Sequence, residues 1–267
     1  MTNFSVLILG NASAAPTLTI SNTSQLVNIN EQYFLIDCGE GTQTKLREHK
    51  IKLQRLDHIF ISHLHGYHYL GLMGLIQTMN LLGRTSTLFI YCPANIEEII
   101  SVHLKFSESA LKFPIQYQMV NFKKSEIIFE NDKVVVSSIP LKHRIPCSGF
   151  LFKEKQKPRR INSTAIKQYN VPKHQIFKLK LGEDYTDEEG KIVKNNVLTY
   201  DSLPSFSYAF CSDTKYEEQI IDVIKGVTLL YHEATFSDEH SDRAIKTFHS
   251  TAKQAALIAH KSNAKSL

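Results

Sequence analysis

The sequence predicts an α/β protein in which helices cover layered β-sheets. Short runs rich in β-branched and aromatic residues, closed by Gly, Pro or polar residues, are typical of buried strands. Six such runs are FSVLILG (4–10), YFLIDCG (33–39), HIFISH (58–63), TLFIYCP (87–93), KVVVSSI (133–139) and VTLLYHE (227–233). Helical patterns lie between some of these runs. Many strands with fewer helices favour a layered α/β sandwich.

Three segments have the apolar spacing of amphipathic helices. The first helix is predicted over residues 69–82 and the second over residues 216–225, and each is followed by a glycine that ends it. The third begins at Thr251, where Thr251 and Gln254 have the spacing of a capping box. These helices supply the layers that cover the predicted sheets.

Length and composition indicate one globular domain. The chain has 267 residues, of which 42% are hydrophobic and 21% charged, and it contains no long low-complexity tract. The net charge of +5 is compatible with a polyanionic partner, although many proteins that bind no nucleic acid share it. Charge alone therefore does not decide the function.

The cysteines and the first residues point to an intracellular location. The four cysteines are widely separated and form no C-x-x-C pair, which predicts buried free thiols in a reducing compartment. The segment MTNFSVLILGN lacks a basic leader and is too short to span a bilayer. We therefore expect a cytoplasmic protein without a membrane segment.

One stretch, residues 153–180, has almost only positive charges. Its single acid is Glu154, and its basic residues are Lys153, Lys155, Lys157, Arg159, Arg160, Lys167, Lys173, Lys178 and Lys180. An ordinary solvated loop and helix would explain this composition, and so would an arm that neutralises phosphates. The residues themselves leave both interpretations open.

Three histidines follow the strand HIFIS within six positions, in the sequence SHLHGYH at 62–68. Alternate residues of an extended chain share a face, so His63 and His65 should project together. Gly66 permits a turn that brings His68 beside them. Because zinc accepts convergent imidazoles well, this density predicts a metal site.

Further polar residues follow later strand-like runs. They are His143, Asp213, His232 and His249. Loops gathered at one edge of a sandwich would bring such residues together, where Asp213 could bridge two cations and a histidine could carry a proton. We interpret His49, His58, His103, His174, His240 and His260 as ordinary core or surface residues.

Several motifs resemble one branch of the metallo-β-lactamase superfamily. HLHG belongs to the whole superfamily, whereas LIDCGEGTQ at 35–43, HEATF at 232–236 and HSTAKQAA at 249–256 are specific to ribonuclease Z. LILGNASAAPT, the segment 70–84 and SDT at 212–214 also match, so the resemblance covers essentially the whole chain.

This resemblance implies a fold and an activity. The fold is a metallo-β-lactamase-like four-layer αββα sandwich, a single domain over 1–267 with a protruding basic arm inserted at about 153–195. The activity is a zinc-dependent endoribonuclease that cleaves transfer RNA precursors 3′ of the discriminator nucleotide. Family members are homodimers, so a homodimer is also expected.

The resemblance also implies residue roles. His63, His65, His143 and Asp213 would hold one zinc, and His68 with the bridging Asp213 would help to hold a second. Glu233 and His249 would lie near the phosphate and assist the leaving oxygen. In the arm, the residues expected to bind substrate are Arg159, Arg160, Lys178 and Lys180.

Two departures from the family pattern affect the second metal. The superfamily motif H-x-H-x-D-H has an aspartate that serves as metal ligand and proton acceptor, and Tyr67 stands at that position here. A phenol offers neither carboxylate charge nor ready basicity at neutral pH. The chain also stops at Leu267, where relatives continue into a strand that carries another histidine ligand. We therefore expect one tight zinc, a second that is weak or absent, and impaired activity.

Three functions are compatible with these observations. The first is an active endonuclease that matures transfer RNA. The second is a non-catalytic relative that still binds transfer RNA, or pairs with a competent subunit, through the basic arm. The third is a superfamily hydrolase of small phosphodiesters, for which the arm would be incidental.

Overall fold

Two β-sheets form the framework of the larger of two units. The computed structural model describes residues 4–267. The larger unit comprises residues 4–153 and 207–267, and the smaller comprises residues 154–206. In chain order, the strands are β1 (Phe4–Gly10), β2 (Ser24–Ile29), β3 (Gln32–Ile36), β4 (Leu56–Phe60), β5 (Leu88–Cys92), β6 (Ile115–Met119), β7 (Ile127–Glu130), β8 (Val134–Leu141), β9 (Cys147–Glu154), β10 (Arg160–Ile161), β11 (Tyr185–Thr186), β12 (Ile192–Val193), β13 (Thr199–Tyr200), β14 (Ser207–Cys211) and β15 (Leu229–His232).

Helices connect many of these strands. They are α1 (Thr42–Glu48), α2 (Gly66–Tyr69), α3 (Gly71–Leu81), α4 (Ile96–Phe106), α5 (Ser163–Gln168), α6 (Ile176–Lys180), α7 (Asn195–Leu198), α8 (Ser241–Thr247) and α9 (Ala252–Lys261). Single turns of 3₁₀ helix occur at Leu53–Arg55, Lys173–Gln175, Glu218–Ile220 and Asp238–His240.

The strand order brings distant parts of the chain together. The first sheet runs β1-β2-β3-β4-β5-β6, antiparallel from β1 to β3 and parallel from β3 to β6. The second sheet has the order β15-β14-β9-β8-β7, in which β14 and β15 are parallel. The residues predicted as strands all lie on or directly beside β1, β3, β4, β5, β8 and β15, so these six predictions are confirmed.

Three apolar clusters separate four layers. The first cluster joins α1, α3 and α4 to the first sheet, with Leu46, Leu75 and Ile90 among its buried residues. The second lies between the two sheets and is rich in aromatic residues, and the third joins the second sheet to α9. Burial of such apolar side chains is the main force that holds layers together. The predicted arrangement of helix, sheet, sheet and helix is confirmed.

Two of the three predicted helices form. The first is α3, preceded by the single turn α2 and ended by Gly83, whose positive φ of 78° suits glycine. The third is α9, and both hydrogen bonds of its capping box, between Thr251 and Gln254, are present. Local capping chemistry therefore predicted these two helices correctly.

The predicted helix over residues 216–225 is wrong. Only the turn Glu218–Ile220 is helical, and further turns lead to Gly226. β-branched side chains are abundant here and lower helix propensity, because they restrict χ1 against the preceding turn. Ile220 and Ile224 instead pack into the third cluster from this irregular segment.

The smaller unit has a core of its own. Its buried residues include Val171, Leu179 and Leu198, and two short antiparallel pairs, β10 with β13 and β11 with β12, belong to it. The predicted arm over 153–195 falls almost wholly within this unit. Its description as an inserted arm of a single domain stays a prediction.

Candidate active site

Four candidate ligands from three loops converge at one edge of the sheets. His63 and His65 follow β4, His143 follows β8, and Asp213 follows β14. One potential ligand atom from each residue lies within 4.8 Å of every other. Strand ends far apart in the sequence therefore build one cluster of three imidazoles and a carboxylate.

Within the cluster, the ring nitrogens point at one another. Nδ1 of His65 lies 3.0 Å from Nε2 of His63 and 3.2 Å from Nε2 of His143. Oδ2 of Asp213 lies 3.7 Å from Nε2 of His63 and 3.9 Å from Nε2 of His143. Burial is the largest cause that lowers the pKa of all three histidines, which favours neutral imidazoles with free lone pairs. Three neutral imidazoles and one carboxylate are a donor set that fits zinc.

The outer nitrogen of His143 is fixed by a backbone carbonyl. His143 donates from Nδ1 to the backbone carbonyl of Phe248 over 2.9 Å. Phe248 has a positive φ of 60°, an uncommon conformation that orients this carbonyl at the end of α8. Such outer contacts set the tautomer and ring direction of a metal-binding histidine.

Asp37 is a buried carboxylate that the sequence analysis missed. It accepts hydrogen bonds from the backbone nitrogen of Ser62 at 2.8 Å and from the Ser62 hydroxyl at 3.0 Å. His68, which the single turn α2 carries back to the cluster, donates to Asp37 from Nδ1 over 2.6 Å. Burial is the largest single influence and alone would lower the pKa of His68, but the charges and polar contacts of Asp37 and Asp213 together outweigh it and raise that pKa to about 9.

Tyr67 points its hydroxyl at the cluster. The hydroxyl donates a hydrogen bond of 2.8 Å to Oδ2 of Asp213. Nε2 of His68 lies 3.6 Å from the same oxygen and has no hydrogen-bond partner among residues 4–267. Burial, followed by the negative charge of Asp213, raises the pKa of Tyr67, so the phenol keeps its proton. A neutral hydroxyl beside Asp213 and His68 does not fit a second cation as a carboxylate would.

Electrostatics also favour the ionised form of Asp213. Burial alone would raise its pKa, but the close contact with His68 at 3.6 Å and its charge, together with the charges of His63 and His249, hold it well below the usual range. Asp213 is therefore a carboxylate that can act as a ligand throughout the neutral pH range.

A second pair of side chains lies next to the ligands. His249 donates from Nδ1 to Oε1 of Glu233 over 2.8 Å, and the His249 ring lies 5.0 Å from the ring of His143. Burial alone would lower the pKa of His249, but the hydrogen bond and charge of Glu233, with the charge of Asp213, together raise it. Glu233 is itself buried and accepts further hydrogen bonds from Thr214, Thr235 and Ser250. Its contacts hold His249 in place.

A cavity of about 540 Å³ opens beside these groups. Tyr67, His68, Asp213 and Glu233 line it, together with part of the motif LILGNASAAPT near Ala12. His232 also lines it and donates from Nδ1 to the backbone carbonyl of Glu233 over 2.8 Å. The N-terminal motif and the HEATF motif thus form walls of the same cavity.

The predicted substrate-binding residues lie in the smaller unit and differ in availability. Nη1 of Arg159 forms an ion pair of 2.8 Å with Asp201, and Nε of Arg160 donates to the Asp201 carbonyl over 3.1 Å. Lys178 and Lys180 are exposed on α6. The lysines therefore present more accessible charge than Arg159.

Two other features were predicted from the sequence. All four cysteines are free and buried, as expected. Over residues 4–267, every helix is too short or too polar to cross a membrane. The cytoplasmic location stays a prediction.

Sequence comparison finds close relatives over the whole chain. It is 49% identical over 267 residues to ribonuclease Z of Phocaeicola vulgatus, which covers 100% of this chain and 86% of the relative. It is 46% identical over 267 residues to ribonuclease Z of Bacteroides thetaiotaomicron, covering 100% and 84%. Residues 4–178 also match the family model described as Anti-Pycsar protein Apyc1.

Solved structures share the fold. Human tRNase Z, short form, is similar with a TM-score of 0.71 and 25% identity, covering 97% of this chain and 89% of that one. The metallo-β-lactamase fold protein YhfI of Bacillus subtilis has a TM-score of 0.64 and 16% identity, covering 97% and 82%. The fold is thus the metallo-β-lactamase fold, as predicted. By these matches the chain belongs to the ribonuclease Z family, and over residues 4–178 also to the family of the Apyc1 model.

Proposed function

We propose that this chain is a metal-dependent endoribonuclease that cleaves transfer RNA precursors 3′ of the discriminator nucleotide. The observation that carries the proposal is the convergence of His63, His65, His143 and Asp213 beside the His249–Glu233 pair. Ribonuclease Z relatives that cover the whole chain support the choice of substrate.

The ligand cluster would hold one zinc tightly. Bound there, zinc would lower the pKa of a coordinated water toward neutrality and stabilise negative charge on the phosphate. His63, His65 and His143 would supply neutral nitrogens, and Asp213 would supply the carboxylate. A second cation would bind weakly or not at all, because Tyr67 keeps its proton and donates to Asp213.

His249 would transfer the proton in this reaction. Glu233 fixes its Nδ1, which leaves Nε2 as the atom that can reach a substrate oxygen. The raised pKa of His249 keeps the ring protonated to higher pH, which suits a general acid that protonates the leaving oxygen. Glu233 would act as a positioning residue, since its oxygens are occupied by several donors.

The smaller unit would serve as the arm that binds RNA. Exposed Lys178 and Lys180 can neutralise phosphates without breaking an ion pair, whereas Arg159 would have to exchange Asp201 for a phosphate. Arg160 would add a further contact. We also propose that the chain forms a homodimer, and this proposal rests only on its relationship to the ribonuclease Z family.

A second candidate function is a non-catalytic relative that still binds transfer RNA. The contact between Tyr67 and Asp213 favours it, because a proton-bearing hydroxyl replaces the carboxylate that the superfamily uses as ligand and proton acceptor. Such a protein would keep the arm and the first metal position but lose most of its catalytic power.

Cleavage and binding of the same RNA separate the two candidates. A 3′-extended precursor is incubated with excess zinc-loaded protein, and both the fraction bound and the fraction cleaved are measured. An endonuclease releases the trailer at one position, and His143→Ala abolishes both cleavage and tight metal. His103→Ala, which alters an exposed histidine outside the cluster, is the matched control. Binding without cleavage would favour the non-catalytic relative, and turnover of only a small chromogenic phosphodiester would contradict both.

A further inference from the structure

A second cavity, of about 330 Å³, begins at the segments that carry the metal ligands. Leu64 lies between His63 and His65 in the chain, and Ile145 and Pro146 follow His143. The residues that line this cavity are Leu64, Pro93, Ala94, Asn95, Phe122, Ile145 and Pro146. No role assigned so far uses it.

The walls of this cavity favour an uncharged, largely apolar group. Its lining contains no charged side chain, so a phosphate or a free ion would lose its hydration there without gaining a partner. Phe122 is half-buried and Pro146 is exposed, so both retain surface that an occupant can cover. Aromatic and apolar surfaces of this kind are where proteins stack nucleobases.

Asn95 adds a polar group to the lining. It is exposed and immediately precedes α4, but its side chain makes no capping hydrogen bond to that helix. An amide offers both a donor and an acceptor, the pair of groups needed to contact the edge of a base. The cavity therefore combines a stacking surface with one group that can read the base.

We propose that this apolar cavity holds the base of the nucleotide next to the scissile phosphate, stacked on Phe122 and contacted by Asn95. The inference rests on the proposed function, because a phosphate bound at the metal cluster places its neighbouring nucleotide beside His63–His65. Arg144, between His143 and Ile145 in the chain, is exposed and would contact the phosphate that joins this nucleotide to the rest of the RNA.

A coupling experiment with modified substrates tests the proposal. Precursors carry an abasic residue either directly 5′ or directly 3′ of the cleaved bond, and single-turnover kcat/KM is measured for the zinc-loaded protein. Loss of one stacked base costs about 1–3 kcal/mol, so Phe122→Ala should lower kcat/KM about 5- to 150-fold on the intact precursor. Phe106→Ala, a change at an exposed phenylalanine at the end of α4, is the control.

The expected signature is non-additivity at one position. On one side of the bond, the abasic residue and Phe122→Ala together should cost no more than either alone, because both remove the same contact. The proposal would be overturned if the losses in kcat/KM from the abasic residue and from Phe122→Ala multiplied on both sides of the cleaved bond. It would also be overturned if Phe122→Ala had no more effect than Phe106→Ala. If the wild-type chain cleaves no precursor at all, the proposed function is wrong, and the base site that rests on it is wrong as well.

A second variant keeps the test independent of folding. Phe122 also packs against the cluster between the sheets, so Phe122→Ala could lower stability. Asn95 is exposed, and Asn95→Ala should fold normally and keep its metal. Asn95→Ala should reduce the differences in kcat/KM among precursors that carry each of the four bases at the position coupled to Phe122. Unchanged differences would remove Asn95 from the site.

Discussion

The hydroxyl of Tyr67 donates a hydrogen bond of 2.8 Å to Oδ2 of Asp213. The same oxygen lies within 4 Å of a ring nitrogen of His63, His68 and His143. A protein that binds two cations would place the second one against this oxygen, where the phenol now stands. We therefore expect position 67 to decide largely how many metal ions a chain binds.

Replacing Tyr67 by aspartate should raise the metal content. The wild-type chain should retain about one equivalent of zinc after dialysis, because one four-donor site remains. Tyr67→Asp adds a carboxylate beside His68 and should move the content toward two equivalents, measured by inductively coupled plasma mass spectrometry. Tyr67→Phe is the control, since it removes the hydroxyl without adding a ligand and should stay at one. Two equivalents in the wild type would contradict this account.

Substitutions of His249 and Glu233 should affect the same step. His249→Ala should lower the single-turnover rate by about 10²- to 10⁴-fold, the usual contribution of a general acid, without loss of metal. Glu233→Gln removes the interaction that raises the pKa of His249, so the ring should lose its proton at lower pH. The high-pH limb of the pH–rate profile should then move to lower pH. If the high-pH limb does not move in Glu233→Gln, Glu233 takes no part in proton transfer. If the double variant is slower than His249→Ala alone, the two residues act independently.

The charges of α6 should control the salt dependence of RNA binding. Each phosphate contact contributes a slope of about −0.9 to a plot of log K against log salt concentration. Replacing Lys178 and Lys180 by Glu should weaken precursor binding and reduce the slope by about two. Lys225→Glu with Lys265→Glu makes the same charge change at exposed positions of the larger unit, and should have a smaller effect. Equal effects would show that net charge, and not the smaller unit, governs binding.

His58 should make stability depend on pH in mildly acidic solution. Its ring stacks between Phe34 and Phe89, and burial is the main cause that lowers its pKa from 6.5 to about 4. Between these values the unfolded chain takes up a proton that the folded chain does not, so stability falls as pH falls from 6.5 to 4. The loss is at most about 3 kcal/mol.

Urea unfolding of His58→Phe against wild type isolates this effect. The variant loses the contact of His58 with the Tyr91 hydroxyl, which gives a constant offset, but it has no group that titrates at this position. As pH falls from 6.5 to 4, the free energy of unfolding of the wild type should therefore decrease more than that of His58→Phe. A difference that does not change with pH would contradict the prediction.

Local patterns predicted the parts of the site that depend on neighbouring residues. His63, His65 and His68 lie within six positions of one strand end, so strand geometry and a single helical turn suffice to bring them together. The local sequence around His143 or Asp213 gives little evidence that either is a ligand. The resemblance to ribonuclease Z assigned them to the cluster. Their convergence depends on the pairing of β8, β9 and β14, which no local pattern specifies.

The parts that could not be predicted depend on contacts distant in sequence. Asp37 closes β3 and binds Ser62 and His68, but in the sequence it is simply a polar residue after a buried strand. The hydrogen bond from Tyr67 to Asp213 joins positions 146 apart. The helix predicted over 216–225 failed for a similar reason, because packing of Ile220 and Ile224 against the second sheet outweighed the local pattern.

Lys153 and Ser207 face each other as partners in the antiparallel pairing of β9 with β14. The whole smaller unit leaves the second sheet and returns to it through adjacent positions, as the loop of a hairpin does. All four candidate ligands lie outside this loop. We therefore expect the smaller unit to be an exchangeable module: a short turn, or an unrelated segment, should fit between β9 and β14 without interrupting the chain that builds the ligand cluster. Backbone nicking inside the module should likewise leave the cluster assembled.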